Sequence, residues 1–198
     1  MLTTLPISAL SALSGPDFLA PLRRFYEHAT QPLPEVEPLA DEALPSPYRQ
    51  LLVHARDMTP TLESFHGDDL WIEVLRRQRL GKIYCREVVL RRQGNSRPAE
   101  FGANRINLPA FPSEARWMIE RDQLPLGRIL KDHDLPHHTR PLAFFRIRAD
   151  DFIARSLSAR PGDLLYGRQA RLARPDGVPL SEVVEILPIT RGLPPRRL

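Results

Sequence analysis

The sequence predicts an α+β fold with a single antiparallel β-sheet of about six strands and helices packed on it. Three observations predict this fold. After Gly67, apolar residues alternate with polar ones at a period of two, as half-buried strands require. Apolar residues at helical spacing occur before Gly67 and again between the strands, without strict strand–helix alternation. The 198 residues, 42% of them hydrophobic and 26% charged, suit one domain with its own core.

The first third of the chain predicts helices separated by an extended arm. Residues 15–30 have apolar side chains at helical spacing, which predicts an amphipathic helix. Residues 31–47 hold five prolines among acidic residues and therefore cannot sustain a helix or a central strand. We expect an extended surface arm there. Ser46-Pro47 is typical of a helix start, which predicts a helix to about Arg56, and Thr59-Pro60 repeats the pattern for another short helix.

Strands dominate the remainder of the chain. The predicted strands cover residues 70–74, 82–92, 99–108, 140–148, 164–173 and 179–187. Turn-forming residues at Gly94-Asn95 and at 174–177 predict antiparallel pairing of the strands that flank them. Residues 113–121 are predicted to form a helix with Trp117-Met118 on its apolar face, and the predicted helical segments that follow are 124–130 and a short helix that begins at Asp150-Asp151.

Composition narrows the class of partner. The net charge of +4 and the pI of about 9.7 favour anionic partners, namely nucleic acid, a membrane surface or a small charged acid. No nucleic-acid-binding motif has its proper spacing, so no nucleic-acid partner is expected. A single cysteine, Cys85, excludes an intramolecular disulfide. Without a secretory signal or an apolar run of about 20 residues, we expect a cytoplasmic protein with no membrane span.

Arg86 is the candidate binding residue that the strand pattern singles out. By period two it shares a face with Tyr84, Val88 and Leu90, and an arginine among apolar neighbours needs an acidic partner. Its planar guanidinium fits two kinds of partner equally well: the carboxylate of a ring-containing ligand, or the side chain of an internal Asp or Glu. Cys85 should face away from Arg86 as a buried thiol.

Other candidates are weaker on the residues alone. Met58 is near a helix end, where a methionine fills core gaps or lines a pocket. The loop containing Asp132-His133-Asp134 and Pro136-His137-His138 has spacings that match no standard metal site, so no metal is expected. No phosphate-cradling glycine loop is present.

Several short stretches, taken in order, resemble the bacterial chorismate pyruvate-lyases over residues 46–188. The stretches are Asp57-Met58-Thr59, Tyr84-Cys85-Arg86-Glu87, Pro125-Leu126-Gly127-Arg128, Tyr166-Gly167-Arg168 and Ile186-Leu187-Pro188. The resemblance implies a chorismate lyase-like fold and cofactor-independent conversion of chorismate to 4-hydroxybenzoate and pyruvate. It also implies a substrate pocket lined by Met58, Arg86 and Leu126, with Gly127 allowing the backbone to approach the bound acid.

The final strand departs from the family pattern. Ungapped alignment places the family's glutamate at Val184, between the candidate acids Glu182 and Glu185. Glu182 shares the face of Val184, whereas Glu185 needs a β-bulge to change the register. Glu185 has the more apolar neighbours and is the preferred catalytic acid, because burial keeps a carboxyl protonated. It would hydrogen-bond the ring oxygen or protonate the departing enolpyruvate.

The sequence therefore carries three hypotheses of function. The first is a chorismate pyruvate-lyase that binds an aromatic or enolpyruvyl carboxylic acid. The second is a non-catalytic sensor similar to the effector-binding domains of some bacterial transcription regulators, and the third is an interaction module that uses the arm at 31–47. The predicted division of the chain is a helix and arm over 1–45, a lyase-like domain over 46–190 and a basic tail over 191–198. The oligomeric state is left open.

Overall fold

A computed structural model describes residues 17–190 of the chain. It has the predicted α+β architecture, with one antiparallel sheet in the order β1-β5-β6-β7-β4-β3-β2. The strands are β1 (Val36–Leu39), β2 (Leu70–Leu80), β3 (Ile83–Arg92), β4 (Pro98–Asn107), β5 (His138–Arg148), β6 (Leu164–Ala173) and β7 (Pro179–Leu187). The α-helices are α1 (Ala20–His28), α2 (Tyr48–Leu52), α3 (Met58–His66), α4 (Ser113–Glu120), α5 (Leu126–Asp132) and α6 (Asp151–Leu157). Short 3₁₀ helices occupy Asp41–Ala43 and Leu108–Ala110.

The sheet has seven strands rather than about six because part of the proline-rich arm joins it. β1 pairs with β5 at one edge, with Pro38 opposite Phe145. An edge strand tolerates proline, since the missing N–H removes no bond to a second neighbour. The extended conformation expected for the arm is correct, but this part of it belongs to the sheet.

Helices cover both faces of the sheet and enclose the core. α1 and α6 cover one face, where Tyr26 and Ile153 pack against Phe101 and Phe145. α2, α3, α4 and α5 cover the other face in two apolar clusters, and one of these is built around Leu52. The predicted helix over 15–30 is confirmed from residue 20 to residue 28, while residues 15 and 16 and the tail at 191–198 lie outside the described part of the chain.

Two helix predictions need correction. The helix predicted to run to about Arg56 ends at Leu52, because the next carbonyl groups turn toward a buried arginine rather than continue the helical bonds. In α4 the buried residues are Ala115 and Ile119, whereas Trp117 is 52% exposed and has Arg121 stacked on its ring at 4.3 Å. The periodicity of the short helix fits either face, and packing against the sheet decides between them.

Candidate functional site

A cavity of about 50 Å³ lies on the face covered by α2–α5, between the two apolar clusters. We call it the central cavity. This volume admits several water molecules and continues to the surface. Its lining residues are Asp57, Met58, Thr59, Ile72, Arg86, Val88, Leu90, Glu100, Asn104, Pro125, Leu126, Gly127, Thr139, Arg168, Leu172, Val183 and Glu185. Five of the six site residues predicted from the sequence therefore meet at one place.

Arg86 reaches the central cavity from β3 and is 1% exposed. Its Nη1 donates to Asp122 at 3.0 Å, and its Nη2 donates to the Leu124 carbonyl oxygen at 3.4 Å. The internal acidic partner considered from the sequence is thus present. Nε is buried and has no hydrogen-bond partner among residues 17–190. The Nε–Nη2 edge is one that can bind a carboxylate with two hydrogen bonds, and it still has N–H groups free to donate.

A second arginine, Arg168 on β6, has no exposed side-chain surface and was not among the predicted site residues. Its Nε donates to Glu185 at 2.5 Å. Its terminal nitrogens donate to the carbonyl oxygens of Leu52, at the end of α2, and of His54 and Arg56, between α2 and α3. Arg168 therefore fixes the end of α2 and the segment that delivers Asp57 and Met58 to the cavity. The Tyr166-Gly167-Arg168 stretch carried the family resemblance, and an arginine at an inward strand position was the sequence signal for this role.

Glu185 and Glu182 lie on opposite faces of β7. Glu185 is 7% exposed and lines the central cavity, whereas Glu182 accepts from Arg171 at 2.9 Å and Arg105 at 3.4 Å outside it. The β6–β7 register shifts beside the hairpin turn, where Leu172 pairs with Ser181 but Ala173 pairs with Pro179. This irregularity lies between the turn and Glu185, as the bulge considered from the sequence requires.

Met58, Leu126 and Gly127 come from the starts of α3 and α5. Met58 and Leu126 are 4% and 8% exposed and belong to the apolar clusters as well as to the cavity wall. A Cβ built on Gly127 would lie 3.0 Å from Thr59 Oγ1. The missing side chain therefore lets α5 approach α3 closely, whatever further role Gly127 has toward a ligand.

Glu100 is the cavity residue that the sequence interpretation missed entirely. It lies on β4, is 5% exposed and has a buried Oε2 without a hydrogen-bond partner in the described part of the chain. Burial, reinforced by the nearby charge of Glu185, raises its pKa well above that of an ordinary carboxyl. Its flanking residues Ala99 and Phe101 are apolar, and an acid in that setting was the available signal.

Asp57 connects the cavity wall to the loop that holds the histidines. Its carboxylate accepts from His137 Nε2 at 2.9 Å and from Thr139 Oγ1 at 2.6 Å. Burial by itself raises the pKa of Asp57, but these hydrogen bonds outweigh it and lower the pKa. His137 Nδ1 contacts the Leu135 carbonyl oxygen at 2.7 Å, so both ring nitrogens face acceptors and the imidazolium form fits best.

The remaining sequence candidates have plain structural surroundings. Cys85 is fully buried on the face away from Arg86, as predicted, and burial raises the pKa of its thiol. No group of three or more His, Cys, Asp or Glu side chains within residues 17–190 is arranged to hold a metal ion. No helix in the described range is long and apolar enough to span a membrane.

Comparisons with known proteins give a fold but no sequence family. No protein-family model matches the chain, and no curated protein does. PhnF from Mycobacterium smegmatis matches with a TM-score of 0.54 at 10% identity, over 85% of this chain and 93% of that one. The separately solved effector domain of the same protein matches with a TM-score of 0.52 at 10% identity, over 68% and 90%. The chain therefore shares its α+β fold with the effector domain of PhnF.

Proposed function

We propose that this chain binds a small aromatic carboxylic acid in the central cavity and acts as a ligand-sensing domain. The observation that carries the proposal is the Arg86 guanidinium, which is buried in a cavity yet keeps an unpaired Nε. A buried donor without a partner costs about 1–3 kcal/mol, and a ligand carboxylate removes that cost. The name of the similar structure, an effector domain, supports sensing over turnover.

The walls of the cavity suit a ring attached to that carboxylate. Ile72, Val88 and Leu90 offer apolar surface beside Arg86, and Met58 closes the opposite side. Methionine is unbranched and changes rotamer at low cost, so Met58 is the wall that can move to admit a ring. Asp122 holds Nη1 in place, which leaves the Nε–Nη2 edge oriented before the ligand arrives.

Calorimetric titration with 4-hydroxybenzoate tests the proposal. Arg86→Lys keeps a positive charge for Asp122 but loses the two-pronged geometry, so its affinity should fall about tenfold or more. Arg91→Lys is the matched control, because Arg91 lies on the same strand and pairs with Glu73 outside the cavity. Equal affinity for wild type and Arg86→Lys would refute the assignment of the cavity.

A second candidate function is the chorismate pyruvate-lyase reaction. The observation that favours it is a pair of buried carboxyls, Glu185 and Glu100, in the cavity that Arg86 and Arg168 also line. In that reaction the bond between ring and enolpyruvyl oxygen breaks, the ring loses a proton and becomes aromatic, and a general acid protonates the departing oxygen. Glu185, ion-paired with Arg168, is the candidate base that takes the ring proton, Glu100 is the candidate acid, and Arg86 is the carboxylate anchor.

Incubation with chorismate separates the two functions. A sensor forms neither 4-hydroxybenzoate nor pyruvate while it still binds 4-hydroxybenzoate. Equal formation of both products, lost in Glu185→Gln and kept in Glu182→Gln, would establish the lyase instead. Glu182→Gln is the suitable control because Glu182 lies outside the cavity.

A further inference from the structure

Glu100 is the one acid of the central cavity that has no cation or donor of its own in the described chain. Asp57 is held by His137 and Thr139, and Glu185 by Arg168. Glu100, by contrast, takes part in none of the ion pairs found within residues 17–190, and its Oε2 is buried and unpaired. Buried polar atoms without a hydrogen-bond partner are rare in proteins, because burying them unpaired costs free energy.

The backbone places the Glu100 carboxyl in a defined row of the sheet. Gly102, two residues further along the same face of β4, pairs with Glu185 on β7, and Glu185 pairs with Arg168 on β6. A Cβ at Gly102 would lie 3.1 Å from Glu100 Oε1. The Glu100 carboxyl therefore occupies the space left by the missing side chain and lies beside the Arg168–Glu185 ion pair.

The protonation state follows from these neighbours. An ionised carboxylate buried without a partner carries a desolvation cost of several kcal/mol, and the nearby negative charge of Glu185 adds to it. Arg168 is the nearby cation, but its Nε is already bonded to Glu185 and its terminal nitrogens to backbone carbonyl groups. Glu100 avoids the cost by keeping its proton, which gives it one O–H donor.

We propose that Glu100 is a specificity-determining residue that donates a hydrogen bond to an oxygen substituent of the bound acid. This inference rests on the proposed function of the cavity. It narrows the ligand class to aromatic acids that carry a hydroxyl, ether or keto oxygen on the side of the ring remote from the carboxylate. Neither the carboxylate anchor Arg86 nor the ion-paired Glu185 supplies such a neutral donor.

The spacing along the sheet fits this ligand class. Arg86 pairs with Asn104, whereas the Glu100 carboxyl lies at the level of Gly102, two residues away. Two residues of a strand span roughly 6.6 Å. The anchor residue and the Glu100 carboxyl therefore lie at different levels of the sheet, as a ligand with a carboxylate and an oxygen on opposite sides of one ring requires.

Two probes of matched size test the inference. 4-Hydroxybenzoate has the oxygen, and 4-methylbenzoate replaces it with a methyl group of similar volume. Wild type should prefer 4-hydroxybenzoate by about tenfold, the effect of one buried hydrogen bond whose donor is otherwise left unpaired. Glu100→Gln retains a neutral donor and should keep the preference. Glu100→Leu removes the donor at similar volume, so it should bind both acids with equal affinity.

The outcomes separate this inference from the function on which it rests. If wild type binds both acids through Arg86 and Glu100→Leu keeps the tenfold preference, Glu100 has no role in specificity. If wild type binds neither acid, the proposed function fails and the inference fails with it. The infrared difference spectrum of wild type minus Glu100→Gln supplies a readout without ligand. It should contain the carbonyl band of a protonated carboxylic acid at neutral pH, and its absence would overturn the proton assignment.

Discussion

Replacing Arg168 by methionine is the most informative perturbation of the fold around the cavity. The substitution keeps an unbranched side chain of comparable length but removes every donor. Glu185 then loses its cation, and the carbonyl oxygens of Leu52, His54 and Arg56 lose their shared hydrogen-bond donor. The expected result is a large loss of stability together with fraying of the segment between α2 and α3.

The size of the loss can be worked from burial. The Arg168 side chain is 0% exposed and that of Glu185 is 10% exposed, and breaking a buried ion pair by removing one partner costs about 3–5 kcal/mol. Leu52 is buried, whereas His54 is half-buried and Arg56 is exposed, so the carbonyl groups of these two can turn to water. We therefore expect a loss of about 4 kcal/mol in the free energy of unfolding, a large share of the roughly 5–15 kcal/mol typical of a domain.

The same strand supplies a matched control. Arg171 also lies on β6 and also pairs with a glutamate of β7, Glu182, but its side chain is 42% exposed. An exposed pair contributes about 0–1 kcal/mol, so Arg171→Met should change stability little. The difference between the two variants isolates the effect of burial from the loss of one arginine.

Urea denaturation followed by circular dichroism measures both variants. Adding Glu185→Leu to Arg168→Met should restore much of the lost stability, because an apolar pair no longer leaves a buried charge uncompensated. The pKa of His54, which burial and then the charge of Arg168 lower, should rise in Arg168→Met when followed by NMR. Equal losses in Arg168→Met and Arg171→Met would show that burial does not decide the effect of removing the arginine.

Two further predictions concern Gly167, on the face of the sheet covered by α1 and α6, and His137, which is bonded to the cavity residue Asp57. A Cβ at Gly167 would lie 2.5 Å from the Glu185 carbonyl oxygen and 2.6 Å from the Phe145 ring, so Gly167→Ala should lower the free energy of unfolding in urea by about 3 kcal/mol. An unchanged midpoint would contradict that packing. The hydrogen bond to Asp57 raises the pKa of His137. The stabilisation that the His137–Asp57 pair contributes is therefore fully present below the unfolded pKa of about 6.5, and it is lost as pH rises through the raised pKa of folded His137. His137→Gln should abolish this step in urea titrations across that pH range.

The sequence predicts those strands whose pairing depends mainly on alternation. Tyr84, Arg86, Val88 and Leu90 do share one face of β3, and the hairpin from β6 to β7 is where the turn residues place it. β1 was missed because Glu37 and Pro38 are poor strand formers, and its pairing depends on the open edge of β5, which local sequence does not reveal.

The candidate site is less predictable because it is assembled across six strands and two helix starts. Arg86 and Glu185 could be singled out as charges among apolar neighbours. The significance of Glu100 depends on Gly102, which gives it space, and on Arg168, whose donors are committed elsewhere. Gly102 is close to Glu100 in sequence, but the hydrogen bonds of Arg168 are not local in sequence. The early end of α2 was unpredictable for the same reason, since the Leu52 carbonyl oxygen accepts from Arg168, which is more than 100 residues away.

The proposed binding mode places the carboxylate of a small aromatic acid on the Nε–Nη2 edge of Arg86. The most direct test follows the Nε–H proton resonance of Arg86 by NMR during titration with 4-hydroxybenzoate, assigned by its loss in Arg86→Lys. Binding through this edge should shift the resonance downfield in a saturable manner, because the carboxylate gives the unpaired Nε–H a charged acceptor. A resonance that stays unchanged while the acid binds elsewhere, or while no binding occurs, would contradict this binding mode.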